Sequence, residues 1–506
     1  MVKEKTFLGH PKALFTLSAT EMWERFNYYG MRALLIVFLT GNLASGGFGM
    51  DTDSALIIYG IFTSLVYITP ILGGILADKF LGQRKTIYIG ALTMAIGQVL
   101  LAYSAIVSGH NIGLKENVFY MGLGILIFGN GFFKPNISTL VGELYDANDQ
   151  RRDGAFTIFY MGINVGAMLG PFVTGWLVEN DLFGKWQYGF FAAALGMIIG
   201  FLWFYLSRSE LGTAGMPPKY KGQKSKLTAK DNIDVLVYVV AIVVMVVGGV
   251  LLGKLVPATT RNVFVYGVLI LGALYLLQDI IRNTKGKTEW SRVGVILVLV
   301  VFNIVFWSGY EQAGGLFNLF ARDNLDRTIG GWTIPTAWFQ MVSAISIVVF
   351  APVFSVLWVR LDAVKLNPNT PLKFAWGIVL LSLGFVVMAY ANDLTQKGSV
   401  LINPMWLITV FVIHTWGELC LSPIGLSMIT KLSPVKIVST MMGVWMGSIA
   451  AGNLFASQMK AISHSIGASL GREVPVFWFI AIETAFAAVI LFLISPWLKK
   501  MMKGLK

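Results

Sequence analysis

The chain has 506 residues, of which 56% are apolar and only 13% are charged. Because soluble domains carry about 25% charged residues, this composition excludes an ordinary water-soluble fold and indicates an integral membrane protein. The 39 Lys and Arg exceed the 26 Asp and Glu, and they cluster in alternate connections between apolar runs, which favours membrane topology over nucleic-acid binding.

Apolar runs long enough to cross a membrane predict fourteen helices and an all-α integral membrane fold. In chain order they cover residues 13–41, 53–78, 85–107, 118–143, 153–178, 186–207, 232–252, 262–281, 292–321, 334–360, 372–391, 404–431, 437–463 and 476–498. The connections rich in Lys and Arg are assigned to the cytoplasm. An even number of spans puts both termini there, so we expect a multi-pass protein of the plasma (inner) membrane.

The long polar connection at 207–231 separates the first six predicted helices from the rest. We predict an N-terminal six-helix bundle over 1–207 and a C-terminal six-helix bundle over 292–506. The segment 208–291 would hold cytoplasmic linkers and two extra, peripheral helices. Two six-helix halves are typical of transporters that bind their substrate between the halves, near the middle of the membrane.

The end of the second predicted helix and the following turn read GGILADKFLGQRKT, residues 73–86. Gly73 and Gly74 would let helices approach closely, and Asp78 would accept from the amides of the next helix or pair with Arg84. The stretch resembles the loop signature of the major facilitator superfamily, whose fold we therefore expect.

The first predicted helix contains TEMWERFNYYGMRALLIVFL, residues 20–39. At about 100° per residue, its charges Glu21, Glu24, Arg25 and Arg32 lie within about 100° of arc, with Tyr28 among them. A charge at the centre of a membrane helix costs about 2.5–3.5 kcal/mol, so this stripe predicts a wet cavity or mutual pairing. Glu21 and Glu24 beside Arg25 would titrate as one group, which makes them candidate proton carriers.

Three further charges lie inside predicted spans: Lys134 in GNGFFKPNIS, Glu311 in FWSGYEQ and Glu418 in GELCLSPIG. Arg32 and Lys134 in the first half would face Glu311 and Glu418 in the second, and a charged substrate could compete for these partners. A zwitterion with separated ends would suit such a cavity. The alternative is static pairing that only fixes helix packing.

The helix 1 sequence EMWERFNYYG resembles the E-x-x-E-R-F-x-Y-Y-G motif of the proton-dependent oligopeptide transporter (POT) family. Further stretches resemble that family in order and spacing: GNGFFKPNIS (129–138), FTIFYMGINVGAMLGP (156–171), FWSGYEQ (306–312), WFQ (338–340), GELCLSPIGLSMITKLSP (417–434) and MMGVW (441–445). The resemblance implies a bacterial-type member of the major facilitator superfamily that imports di- and tripeptides with protons.

The resemblance also implies roles for single residues. Proton coupling would involve Glu21, Glu24, Arg25, Lys134 and Glu311. From the charges themselves, we expect gating salt bridges that join Arg32 to Glu311 and Lys134 to Glu418. The peptide carboxylate would lie near Arg32 and Lys134 and the peptide amino group near Asn164 and Glu418. The substrate-binding positions are Tyr28, Tyr29, Arg32, Tyr67, Lys134, Asn164, Trp307, Glu311, Ser343, Glu418 and Trp445.

Two positions depart from the family pattern. Ser343 stands where members often have an Asn that helps to hold the peptide amino group, so binding would be weaker or its preference changed. Gly60 stands where some members carry a His, which removes a His-based proton route from helix 2. His414, four residues before Glu418, is either a packed core residue or a further proton carrier.

Other classes fit the sequence less well. The sequence lacks the H-E-x-x-H motif and the paired membrane aspartates that an intramembrane enzyme would need. Its single cysteine, Cys420, excludes an internal disulfide and a thiolate metal site. A same-fold proton-coupled transporter of an amino acid, nitrate or a peptide-like drug stays open. We expect no cleavable signal peptide, no cofactor, no nucleic-acid partner, contact with membrane lipid and function as a monomer.

Overall fold

The computed structural model describes residues 6–107, 111–146, 149, 151–179, 184–217, 236, 240, 258–398 and 400–502. Ten helices among these residues are long and apolar enough to cross a membrane. The prediction of a multi-pass helical membrane protein is therefore confirmed. The total of fourteen spans stays a prediction, because most of the predicted helix 232–252 lies outside the described residues.

The chain divides into two compact units by the contacts among its residues. Unit 1 comprises Met1–Met50 and Leu65–Phe264, and unit 2 comprises Asp51–Ser64 and Val265–Lys506. The division between Ser64 and Leu65 thus falls inside the second long helix of the chain, Thr52–Leu76. The predicted domain boundaries at 207 and 291 stay a prediction.

Six long helices begin in the first part of the chain. They are α1 (Lys12–Thr40), α2 (Thr52–Leu76), α3 (Gln83–Ile106), α4 (Ile112–Glu143), α5 (Arg152–Glu179) and α6 (Trp186–Leu206). In unit 1, α1 packs along α5 and α6, and α3 packs along α4 and α6. A short hairpin of β1 (Thr6–Phe7) and β2 (His10–Pro11) precedes α1. The predicted bounds of these helices agree within two or three residues except at the start of α4.

The helix α4 begins at Ile112, six residues before the predicted start, because its polar first turns are held by specific contacts. The Asn111 side chain accepts from the amide of Leu114, which caps the helix. The Lys115 side chain is buried, and its Nζ donates to the Gly46 carbonyl at 2.6 Å. The same ammonium lies 5.1 Å from the centre of the Phe48 ring. A charged residue that hydropathy assigns to a loop is therefore part of a helix.

The second part of the chain contains eight further helices among the described residues. They are α7 (Ala258–Asn283), α8 (Gly286–Tyr310), α9 (Leu316–Asn324), α10 (Met341–Ala363), α11 (Thr370–Gly398), α12 (Met405–Leu432), α13 (Val438–Leu470) and α14 (Val476–Met501). A hairpin of β3 (Thr328–Ile329) and β4 (Trp332–Thr333) follows α9, with Thr328 opposite Thr333. In unit 2, α11 packs along α12 and α14, and α8 packs along α13.

The continuous helix predicted over 292–321 is wrong, because the structure breaks it after Tyr310. A short 3-10 turn, Glu311–Gly314, separates α8 from α9. Gly315 has φ −106° and ψ −99°, outside the helical region. Two successive glycines weaken a helix at this point, and a broken membrane helix is tolerated where it is buried in protein. The break places Glu311 at the end of α8.

The loop signature at 73–86 folds partly as expected. A Cβ added at Gly73 would lie 1.9 Å from the Gly131 carbonyl oxygen, so α2 and α4 approach as closely as predicted. Asp78 accepts from the Gln83 side chain at 3.2 Å. The suggested pairing of Asp78 with Arg84 is wrong, because the Arg84 guanidinium donates to the Gly212 carbonyl at 2.7 Å, in the start of the long linker.

Candidate functional site

Three charged side chains on α1 form one buried cluster in unit 1. Glu21, Glu24 and Arg25 are 3%, 0% and 3% exposed. Arg25 Nε lies 3.0 Å from Glu21 Oε1, and the same guanidinium forms an ion pair with Glu24. The predicted grouping of these charges is confirmed, because one cation serves two carboxylates within two turns of helix. Such a group carries one net negative charge when both carboxylates are ionised.

An amide that sequence analysis missed completes this cluster. Asn130 on α4 donates from Nδ2 to Glu24 Oε1 at 3.1 Å, and its side chain is 2% exposed. Asn130 lies four residues before Lys134 in the stretch GNGFFKPNIS, so both project from one side of α4. That spacing was the signal that could have found it. A neutral amide donor holds the Glu24 carboxylate without changing the charge of the cluster.

The tyrosines of the helix 1 motif lie against the same guanidinium. The Arg25 Cζ atom is 5.5 Å from the centre of the Tyr28 ring and 6.0 Å from that of Tyr29. The two rings meet edge to face with centres 5.2 Å apart. Arg32, one turn further along α1, is 8% exposed. The predicted stripe is therefore a continuous polar seam along a mostly buried helix.

Lys134 lies in contact with Tyr67, another predicted binding residue. Its Nζ is 4.2 Å from the centre of the Tyr67 ring, within the range of a cation–π interaction. Both side chains are half-buried. The Lys134 ammonium is also within electrostatic range of Glu21, so it belongs to the charge balance of the α1 cluster.

Asn164 on α5 is 5% exposed and donates from Nδ2 to the Tyr160 carbonyl at 2.9 Å. This bond lies within its own helix, one turn back. The side-chain oxygen of Asn164 is thereby oriented away from that carbonyl, as an amide has its donor and acceptor on opposite sides.

The carboxylates of unit 2 have different surroundings. The Tyr310 hydroxyl donates to Glu418 Oε2 at 2.5 Å, which ties the end of α8 to α12. Ser343 on α10 lies close to the same phenol. Glu311, which directly follows Tyr310 in the chain, is 3% exposed. Tyr310 lies within the motif FWSGYEQ, but its role could not be predicted from the sequence, because its partner Glu418 comes from a distant helix.

The two tryptophans that are predicted to bind substrate, Trp307 and Trp445, are tightly packed within unit 2. A Cβ added at Gly452 of α13 would lie 2.6 Å from the Trp307 Cβ, so α8 and α13 are close at that point. A Cβ added at Gly425 of α12 would lie 2.2 Å from the Trp445 ring, which is 2% exposed. Trp445 therefore fits against a glycine that leaves room for it.

Comparison with known proteins identifies the family. The model of the POT family matches residues 84–474. The chain belongs to the POT family. The peptide transporter YePEPT of Yersinia enterocolitica is 36% identical over 461 residues, covering 89% of this chain and 88% of that protein. A di-/tripeptide transporter of Lactococcus lactis is 32% identical over 510 residues, covering 99% and 98%.

A solved structure supports the same assignment. The crystal structure of the peptide transporter POT in complex with sulfate has a TM-score of 0.85 and 33% identity, and the match covers 99% of this chain and 98% of that one. Because POT-family proteins are transporters, this chain is a transporter and not an enzyme.

The environment of His414 in this POT-family chain favours a packing role. The side chain is 2% exposed, and Nε2 lies 3.1 Å from the Leu381 carbonyl on α11. Its ring lies among those of Phe317 and Phe385, with centres 5.7 Å and 4.9 Å away. Glu418 instead contacts Tyr310 on α8, so the α12 side chains His414 and Glu418 contact different helices.

The packing around position 60 explains why this position is a glycine and not a histidine. A Cβ at this position would lie 2.3 Å from the Ser457 Cβ of α13, which belongs to the same unit. The packing there excludes a histidine side chain.

Among the described residues, the structure shows no group of three or more His, Cys, Asp or Glu that could hold a metal ion. The pairings Arg32–Glu311 and Lys134–Glu418 join residues of different units and stay predictions.

Proposed function

We propose that this chain is a proton-coupled symporter that imports di- and tripeptides by alternating access. The observation that carries the proposal is the buried group of Glu21, Glu24 and Arg25, which lies on the helix with the POT-family motif. Two carboxylates around one cation provide a place where a proton binds at a small electrostatic cost.

The charges of this group explain how a proton and a peptide would be coupled. With Lys134 included, two carboxylates balance two cations, so the group is neutral before a proton arrives. Protonation of Glu21 or Glu24 leaves one positive charge in excess. The carboxylate of a peptide then restores neutrality, whereas either ligand alone leaves a net charge in a region of low dielectric. Each ligand therefore favours the binding of the other.

The peptide would bind through its two charged ends. Arg32 and Lys134 take the carboxylate, with Tyr28, Tyr29 and Tyr67 beside them. Glu418 takes the ammonium group, helped by Asn164 and Ser343. The remaining proposed binding residues are Glu311, Trp307 and Trp445. The gating pairs are Arg32–Glu311 and Lys134–Glu418, and Glu311 also takes part in proton coupling.

The proposed architecture is the major facilitator fold with two six-helix bundles and two extra central helices, fourteen spans in all. The bundles cover 1–207 and 292–506, and the segment between them holds the extra helices. The protein lies in the inner membrane with both termini in the cytoplasm, among membrane lipids. It works as a monomer, without a cofactor other than the proton gradient and without a nucleic-acid partner.

Uptake of a labelled dipeptide into proteoliposomes with an imposed pH gradient tests the proposal. Glu21→Gln, Glu24→Gln and Lys134→Ala are expected to abolish gradient-driven uptake. Exchange of labelled for unlabelled dipeptide without a gradient is the control for folding of Glu21→Gln and Glu24→Gln, because it needs no net proton movement. For Lys134→Ala, which also removes a proposed binding residue, the control for folding is a single symmetric peak in size-exclusion chromatography. Full gradient-driven uptake in all three variants would contradict the proposal. Competition by tripeptides, free amino acids and nitrate separates peptide import from transport of another solute.

A further inference from the structure

A cavity of about 560 Å³ lies at one end of unit 2 and is separate from the proposed peptide site. It is formed where α10 ends at Ala363, α11 begins at Thr370, α12 ends at Leu432 and α14 ends at Met501. Its volume falls within the range of roughly 300–1,000 Å³ that is usual for ligand sites. The prediction of topology places this end in the cytoplasm.

Four lysines from four separate segments line this cavity: Lys365, Lys373, Lys431 and Lys499. The lining contains one acidic residue, Asp362, whose Oδ1 accepts from the Asn367 side chain at 3.2 Å. The positive-inside pattern explains why lysines occur on this face of the membrane. It does not explain why four of them converge on one cavity, against the repulsion between like charges.

The floor of the cavity is apolar. Met428 and Leu432 of α12 line it and are only 3% and 2% exposed. The Lys373 ammonium lies 4.4 Å from the centre of the Trp358 ring, which positions this cation beside an aromatic surface. Lysine stems can lie along apolar surface while their ammonium groups stay at the rim. The cavity thus combines a cationic rim with an apolar floor.

This combination fits one class of ligand. All basic residues of the lining are lysines, which bind phosphate as compact point charges. Basic pockets between membrane helices on the cytoplasmic side bind phosphate-bearing lipid headgroups. We propose that this cavity, the lysine pocket, binds the phosphate of an anionic phospholipid. The inference does not depend on the substrate that the protein transports.

Native mass spectrometry tests the proposal. It measures the binding of lipid to the purified full-length chain in neutral detergent. The titrants are phosphatidylglycerol, phosphatidylcholine with the same acyl chains, and inorganic phosphate. We expect a retained phosphatidylglycerol adduct and no comparable phosphatidylcholine adduct. Because a lysine near a membrane surface contributes about fivefold in affinity, K373Q/K431Q should weaken phosphatidylglycerol binding roughly thirtyfold.

Matched variants separate a specific site from general positive charge. K436Q/K500Q removes two lysines at the same end of unit 2 that do not line the cavity, and it should change affinity less than twofold. K373R/K431R keeps the charge and should retain the lipid. If K373Q/K431Q does not fold, K365Q/K499Q, which alters two exposed rim residues, should weaken binding by a similar factor.

Two results would overturn the lysine pocket: equal retention of both lipids by the native chain, or an equal loss of binding in K436Q/K500Q and K373Q/K431Q. If inorganic phosphate alone binds and displaces the lipid, the phosphate site is supported and its ligand is a soluble anion. If phosphate does not compete, the lipid itself is supported as the ligand.

Discussion

The two units stabilise the carboxylates within their helices in different ways. In unit 1, Glu21 and Glu24 share the Arg25 guanidinium, and all three lie on one helix. In unit 2, Glu418 accepts from the neutral phenol Tyr310, which lies 108 residues away along the chain. The first arrangement compensates charge inside the helix that carries it. The second orients a carboxylate through a neutral donor, which brings no compensating charge.

This difference predicts unequal responses to mutation. Removing one partner of a buried ion pair leaves an uncompensated charge and costs about 3–5 kcal/mol. Removing one ordinary hydrogen bond costs about 0.5–1.5 kcal/mol. Changes in the α1 cluster should therefore affect stability, and changes around Tyr310 should mainly affect binding.

The largest effect is expected for Arg25→Gln. Two carboxylates that are 3% and 0% exposed would lose their shared cation, so the free energy of unfolding should fall by about 3–5 kcal/mol. The measurement is the thermal midpoint of the detergent-solubilised protein, followed by fluorescence size-exclusion chromatography. The double variant Arg25→Gln/Glu24→Gln should recover part of the loss. An unchanged midpoint in Arg25→Gln would show that the ion pairs contribute little.

The next largest effect on stability is expected for substitutions of two closely packed glycines of α2, one in each unit. A Cβ at Gly73 would lie 1.9 Å from the Gly131 carbonyl oxygen in unit 1, and a Cβ at Gly60 would lie 2.3 Å from the Ser457 Cβ in unit 2. Gly73→Ala and Gly60→Ala should each cost about 1–3 kcal/mol, measured as a lower thermal midpoint.

The neighbouring Gly74→Ala is the control for these glycines, because its Cβ would meet Pro135 at an ordinary 3.7 Å. Ser457→Gly should rescue Gly60→Ala by removing the side chain that the new methyl group meets. A midpoint for Gly73→Ala equal to that of Gly74→Ala would contradict the close approach of α2 and α4.

A smaller effect is expected for Tyr310→Phe, which removes the hydrogen bond to Glu418. We expect a threefold to tenfold rise in KM for a dipeptide, because the loss of one hydrogen bond is worth about 0.5–1.5 kcal/mol. The thermal midpoint should change little. Tyr390→Phe, at a side chain of the same unit that is 52% exposed, is the control. A collapse of stability in Tyr310→Phe would mean that the phenol has a structural role.

The smallest effect is expected for Ser343→Asn. Asn can keep a contact with Tyr310 and adds an amide oxygen that can accept from the peptide ammonium. Affinity for dipeptides with a free amino group should rise about twofold to fivefold, measured by competition against labelled dipeptide uptake. N-acetylated dipeptides serve as the control and should show no change. An equal gain for both would mean that position 343 does not contact the amino end.

Much of the unit 1 cluster could be predicted from sequence because its members share one helix. The 3.6-residue period placed Glu21, Glu24 and Arg25 together, and the structure confirms the ion pairs. The roles assigned to these residues stay predictions. Asn130 was missed because an amide within an apolar helix gives no signal in hydropathy, and its contact with Glu24 joins α4 to α1.

The sequence by itself determined the membrane class, most helix bounds and the family, because these depend on local composition, periodicity and short motifs. Only the tertiary structure decided the break after Tyr310, the packing of His414 and the reason for glycine at position 60. It also assembled the lysine pocket from four segments between residues 365 and 499. These features depend on which distant helices meet, and such long-range contacts leave no periodic signal in any single stretch of sequence.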